Sequence, residues 1–280
     1  MIGSFLIFLR EGIEGSMIVA IMLTYLSSAG RRDLFRWIFA GVAAALLASS
    51  AVAIVLYLLV KDSFVGSTAQ TWFETGTFLV AVGILTYMTF WMKRHSRTLS
   101  AALREDLGSA IVGNSALALA GVAFVTVGRE AIETAIFTLA IAFRSSWATL
   151  LVGAVSGLGV AMVASFAMYR AGLKLNLKRF FTVIGVALLV VAAGLLADAT
   201  ENLQRLGVLP GAGQVVWHTG RWLSEDTGLG DILHGILGYA SAPTALQLGV
   251  WALFLMTGLS VFFELGSRIP GRRSGTTIGA

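Results

Sequence analysis

Residues 2–27 read IGSFLIFLREGIEGSMIVAIMLTYLS, an apolar run whose charges are Arg10, Glu11 and Glu14. About 20 mostly apolar residues cross the hydrocarbon core of a bilayer as a helix, and this run is long enough. A charge at mid-bilayer costs about 2.5–3.5 kcal/mol on insertion scales, so three in one span require a reason. The pattern returns in residues 117–143, LALAGVAFVTVGREAIETAIFTLAIAF, where Arg129, Glu130 and Glu133 keep the same spacing.

The rest of the chain is of the same kind. Of 280 residues, 57% are hydrophobic and 12% charged, and the mean hydropathy is +0.84. Soluble domains carry roughly 25% charged residues, so this chain has too little polar surface to cover a water-soluble globule. Further spans are expected at 35–60, 71–92, 147–169, 180–199 and 246–265. The fourth span lies within 110–143 and begins near 117, with 108–114 as an approach along the membrane surface. The fold class is therefore an all-α polytopic membrane protein with seven transmembrane helices in a single domain, 1–280. Residues 1–9 have no basic leader and run on past Arg10, so they read as part of the first span rather than as a signal peptide. Cysteine is absent, which excludes disulfides and thiolate metal sites. Glycine is abundant, and Gly153 and Gly157, four apart, read as a close-packing face.

Lysine and arginine divide unevenly between the two sides. The first, third and fifth connections and the C-terminal tail carry 14 of them, the opposite side carries Lys61, Arg144, Arg205 and Arg221, and Arg10 and Arg129 lie within spans. Cytoplasmic connections are rich in Lys and Arg, so the N-terminus is expected outside and the C-terminus in the cytoplasm. The positive charge is thereby assigned to the membrane surface, with no nucleic acid as partner. The long connection, about 200–245, is then extracytoplasmic, with a short surface helix around 232–239.

The first and fourth spans share Arg-Glu-x-Ile-Glu, and LVAVGIL at 79–85 resembles VVAAGLL at 190–196. Three spans separate each pair, so the two copies run in opposite directions. The expectation is a 3+3 inverted repeat, about 1–92 and 108–200, plus a seventh helix, an arrangement common among transporters.

Within each motif the two glutamates are three apart and the arginine lies four before the second, so all three share a helix face. Both motifs lie about 15 Å from the outer end of their spans at 1.5 Å per residue, and antiparallel spans could bring four carboxylates to one point. Such carboxylates repel one another unless protonated or bridged by a cation, and oxygen ligands suit hard cations. The plainer reading, an Arg–Glu network locking two helices together, is weakened by the motif's recurrence at equal depth. Glu74 near the outer end of the third span, and Asp198 and Glu201 at the outer end of the sixth, are candidates for an outer access site. Met88, Met92, Met162 and Met168 read as packing, and Trp72, Trp91, Trp147 and Trp217 as interfacial anchors.

Arg10-Glu-Gly-Ile-Glu14 and Arg129-Glu-Ala-Ile-Glu133 resemble the paired Arg-Glu-x-x-Glu motifs of the high-affinity iron permease family, which includes oxidase-coupled fungal transporters and the permease of bacterial iron-uptake systems. Trp91-Met92, Asp198-Ala-Thr-Glu201, and Gly238-Tyr239 with Pro243 also resemble elements of that family, so the likeness covers most of the chain. Ala131 stands where a second glycine often occurs, and Thr200 replaces a serine. The resemblance implies a permease of the plasma (inner) membrane, not an enzyme, with iron as transported substrate and no cofactor. It implies Glu11, Glu14, Glu130 and Glu133 as ligands, Arg10 and Arg129 as their basic partners, and Asp198 and Glu201 as iron-handling residues. It also implies an extracytoplasmic ferroxidase or iron-delivery protein as partner. Permeation of another divalent metal such as lead, and a non-transporting metal-sensing subunit, are the alternatives. Gly228-Leu-Gly-Asp231 matches an intramembrane aspartyl protease pattern, but no partner aspartate lies in the middle of a span.

Overall fold

The computed structural model describes residues 2–64, 67–95, 116–144, 146–171, 177–224 and 228–267. The approach segment at 108–114, most basic residues of the third and fifth connections, and the C-terminal tail lie outside them, as do the side chains of His95 and Asp231. The described residues form eight α-helices: α1 Ile2–Ser28, α2 Phe35–Phe64, α3 Thr68–His95, α4 Ala116–Arg144, α5 Trp147–Ala171, α6 Leu177–Arg205, α7 Gly228–Leu237 and α8 Ala245–Ser267. No strand occurs among them beyond an isolated bridge between Val215 and Thr244. The expected spans and the short helix of the outer loop thus correspond to helices, most of them a few residues longer than read from hydropathy.

Helix ends follow local chemistry. α1 closes with Gly30 at φ 71°, the Gly30 and Arg31 amides donating to Ser27 and Leu26 carbonyls. α6 closes in the same way at Gly207, φ 73°. Glycine takes this left-handed conformation without a Cβ clash and so satisfies the last carbonyls of a helix.

Five helices, α2, α3, α5, α6 and α8, contain stretches long and apolar enough to cross a membrane. α1 and α4 are of similar length, 27 and 29 residues, but each breaks its apolar run with three motif charges. Large apolar side chains on α2, α4 and α5 are exposed, among them Leu47, Val125, Val155 and Val163, as expected of a chain whose solvent is lipid. α1 lies along α5, α2 along α4 and α3 along α6, with α8 against α6, while α1 and α4 contact each other between these pairs. The packing role read for Gly157 holds, because a Cβ there would run into the Phe5 carbonyl of α1, and Gly41 meets the Ala120 carbonyl of α4 in the same manner.

Two apolar clusters fill the interior. One joins Ile7 and Ile13 of α1 to Leu85 of α3, Phe137 of α4, Leu150 of α5 and Leu188 of α6. The other joins Ile18 and Met22 of α1 to Ile38 of α2 and Leu119 and Val127 of α4. The motifs at 10–14 and 129–133 lie at the junction of the two, with apolar packing above and below.

Candidate metal centre

α1 and α4 bring the motifs to one buried point. Glu11, Glu14 and Glu130 each place a carboxylate oxygen within 4.8 Å of the others. Among the described residues no other group of three Asp, Glu or His side chains gathers in this way. Glu11 is 6% exposed, Glu14 9%, and Glu130 and Glu133 8% each.

The arginines follow from the helix repeat. Four residues make slightly more than one turn, so Arg10 reaches Glu14 with Nε 2.8 Å from Oε1, and its Nη1 lies 3.2 Å from Glu11 Oε1. On α4 the same spacing sets Arg129 Nε 3.0 Å from Glu133 Oε1. Arg10 is buried, whereas the Arg129 side chain is half exposed. Each arginine therefore neutralises the second glutamate of its own motif, and Arg10 also touches the first. Glu11 Oε2 and Glu130 Oε2 are buried and receive no hydrogen bond from the described residues. A buried carboxylate oxygen without a donor is costly, and a cation between Glu11 and Glu130 would relieve that cost. If all six motif residues are ionised, the centre carries a formal charge of −2.

Sequence reading missed part of the surroundings. Met88 and Met92 of α3, read as packing, approach the motif arginines through sulfur: Arg129 Nη2 lies 3.0 Å from Met88 Sδ, and Arg10 Nη2 lies 3.7 Å from Met92 Sδ. The guanidinium of Arg129 stands 5.4 Å from the Trp91 ring centroid. α3 thus touches both arginines. The signal in the sequence was the four-residue spacing of the two methionines, but nothing there showed which helix they would face.

The residues read as an outer access site do not join the centre. Glu74 accepts a hydrogen bond from Gln70 Nε2 at 2.7 Å. Asp198 Oδ2 lies 2.5 Å from Arg144 Nε, and both side chains are almost wholly buried. Arg144 Nη2 also donates to the His234 carbonyl at 2.7 Å, and His234 Nε2 is 3.9 Å from Asp198. Glu201 pairs with Arg205 and accepts from Gln247. Arg144, counted by sequence as a loop cation, is in fact the counter-ion of Asp198. It ties the end of α4 to α6 and to helix α7 of the long loop.

Residues 1–274 match the Iron permease FTR1 family. The chain is 34% identical over 265 residues to the protein named ferrous iron permease EfeU in Escherichia coli O6:H1, covering 92% of this chain and 94% of that one. It is 32% identical over 261 residues to the protein of the same name in Yersinia pestis, covering 92% of each. A relative in Escherichia coli K12, also 34% identical, is named as a suspected inactive form of that permease. No solved structure matches the chain.

Proposed function

This chain belongs to the iron permease FTR1 family, and on that premise we propose how it carries iron: Glu11, Glu14, Glu130 and Glu133 hold the ion midway across the plasma (inner) membrane, with Arg10 and Arg129 as counter-ions of the empty site. The observation that carries this reading is the meeting of the two motifs, with three carboxylates within 4.8 Å of one another in a buried position. The curated relatives are named for ferrous iron. A centre of formal charge −2 suits a divalent ion better than a trivalent one.

The empty site holds Arg10 between Glu11 and Glu14. An arriving cation first meets the oxygens of Glu11 and Glu130 that have no donor, then competes with the arginines for Glu14 and Glu133. Each guanidinium gives up one partner while keeping its place against Met88, Met92 and Trp91 of α3. The cost of the buried charges is thus shared between two occupied states, which lets the ion bind and leave.

The same proposal makes α1 and α4 true spans, seven in all, because their charges are paired and, apart from the half-exposed Arg129, buried. Two features support the inverted repeat. Exchanging α1 with α4, α2 with α5 and α3 with α6 maps the α1–α5 contact onto α2–α4 and leaves α1–α4 and α3–α6 as self-pairs. Buried Ile38, Gly41, Ala45 and Ser49 of α2 correspond at constant spacing to buried Leu150, Gly153, Gly157 and Ala161 of α5. The outer loop, 206–244, is the surface on which an extracytoplasmic oxidase or iron-delivery protein would act.

The test is uptake of labelled Fe(II) by vesicles carrying Glu11→Gln or Glu130→Gln. Loss of one ligand should lower uptake at least tenfold, by analogy with the roughly 10–100-fold penalties of disturbed metal sites, with the protein still present in the membrane. Unchanged uptake in both variants would overturn the site. Competition by excess lead, manganese or zinc ranks the cargo, and metal binding without flux would favour a sensing subunit.

A further inference from the structure

Between the α1–α5 pair and the α2–α4 pair lies a cavity of about 1250 Å³. It follows α2 from Phe35 to Tyr57, a length of about 33 Å at 1.5 Å per residue, which matches the hydrocarbon thickness of a bilayer. Glu11 and Glu130 line it partway along, whereas Glu14 and Glu133 do not. From Glu11 towards the C-terminal end of α1 the lining includes Ser16 and Ser27, and from Glu130 towards the C-terminal end of α4 it includes Thr134 and Thr138. α1 and α4 run in opposite directions, so the two hydroxyl series leave the carboxylates for opposite faces of the membrane.

The threonine hydroxyls are set up as acceptors. Thr134 Oγ1 donates to the Glu130 carbonyl at 2.8 Å, Thr138 Oγ1 to the Thr134 carbonyl at 2.7 Å and Ser16 Oγ to the Ile13 carbonyl at 2.9 Å. For the two threonines, whose proton is committed to the helix backbone, the remaining lone pairs can only accept, which is what a passing cation requires. Ser16 Oγ also meets Ser165 Oγ at 2.5 Å, and Ser27 Oγ accepts from Arg32 Nε at 3.1 Å, so a cation displaces those partners there. At the middle, Glu11 Oε2 and Glu130 Oε2 are buried without a donor.

We propose that this cavity is the permeation route, along which a partly hydrated divalent cation exchanges water for the oxygens of Thr138, Thr134, Glu130, Glu11, Ser16 and Ser27 in turn. The proposal rests on the carboxylate reading above and adds the path to the site. Leu46 and Ile54 on its rim are exposed apolar side chains, so the competing occupant is lipid.

The chain contains no cysteine, so single thiols report without background. Thr138→Cys, Ser27→Cys and Ser50→Cys would be placed in the full-length protein in vesicles, with Leu47→Cys, 73% exposed on α2 and outside the cavity lining, as the lipid-facing control. The probe is a charged, membrane-impermeant methanethiosulfonate. Thr138→Cys should react from one face and Ser27→Cys from the other, each at least about tenfold faster than Leu47→Cys, because a thiol in apolar surroundings stays protonated. Fe(II) at about twice its half-saturating concentration, kept reduced with ascorbate, should slow each reaction about threefold. If Thr138→Cys does not reach the membrane, Ser50→Cys decides by the same measurement. Thiols that react no faster than the control, or only with a lipid-soluble maleimide, overturn the route in favour of a lipid-filled groove. Unprotected thiols alongside a Glu11→Gln variant that has lost uptake would sink the route alone. Full uptake by Glu11→Gln would instead remove the carboxylate reading.

Discussion

At the scale of single residues, the centre depends on neighbours that composition made look ordinary. Met88 and Met92 each set a sulfur against one motif arginine, where a thioether gives an uncharged, weak acceptor. Met→Leu keeps the volume and removes the acceptor, so stability should change by less than about 1.5 kcal/mol. The Met88→Leu, Met92→Leu pair should raise the half-saturating iron concentration with maximal uptake little altered, because freed arginines compete harder for Glu14 and Glu133, and Met→Gln at both positions should restore it. An unchanged half-saturation in the leucine pair would return both methionines to packing. Arg144 makes a different case. Its pair with Asp198 is buried, and breaking such a pair costs about 3–5 kcal/mol because one charge is left alone. Arg144→Ala should therefore lower thermal stability strongly, and adding Asp198→Asn should recover much of the loss. If Asp198→Asn alone abolishes uptake in a protein of normal stability, Asp198 handles the ion directly, as the family resemblance implies.

At the scale of helices, the site is placed by two pairings whose closeness depends on glycine. Gly157 lets α5 reach the backbone of α1 at Phe5, and Gly41 lets α2 reach α4 at Ala120. Either added methyl would meet a carbonyl oxygen on a helix, which cannot yield as a flexible side chain does. Gly157→Ala and Gly41→Ala should each cost about 1–3 kcal/mol and, by shifting the helix that bears a motif, reduce uptake more than they reduce protein level. Normal stability in both would show that α1 and α4 are positioned by other contacts.

At the scale of the whole molecule, the charge distribution predicts how the chain sits in the membrane. With 14 of 20 lysines and arginines on one side, seven spans put the N-terminus outside and the C-terminus in the cytoplasm. Epitope tags at the two ends should be accessible from opposite faces in intact and permeabilised cells. Access to both from one face would require an even number of spans and would overturn the seven-span reading. Under the inverted repeat proposed above, α1 and α4 occupy equivalent places, and that outcome would break the equivalence.

The helices were legible in the sequence because lipid imposes a local rule: about 20 apolar residues must hydrogen-bond within themselves. The motifs were legible for the same reason, since six charges within apolar runs are conspicuous and their three- and four-residue spacings fix one helix face. Which residues meet across helices is not a local property. The separation of Glu74, Asp198 and Glu201 from the centre, the pairing of Arg144 with Asp198 and the two sulfur contacts all depend on residues 41 to 90 positions apart or more, and one chain's apolar pattern carries no record of those partners. Helix packing alone decided that Glu11 and Glu130 share one cavity, because only the packing of α1 against α4 sets how each motif face is turned.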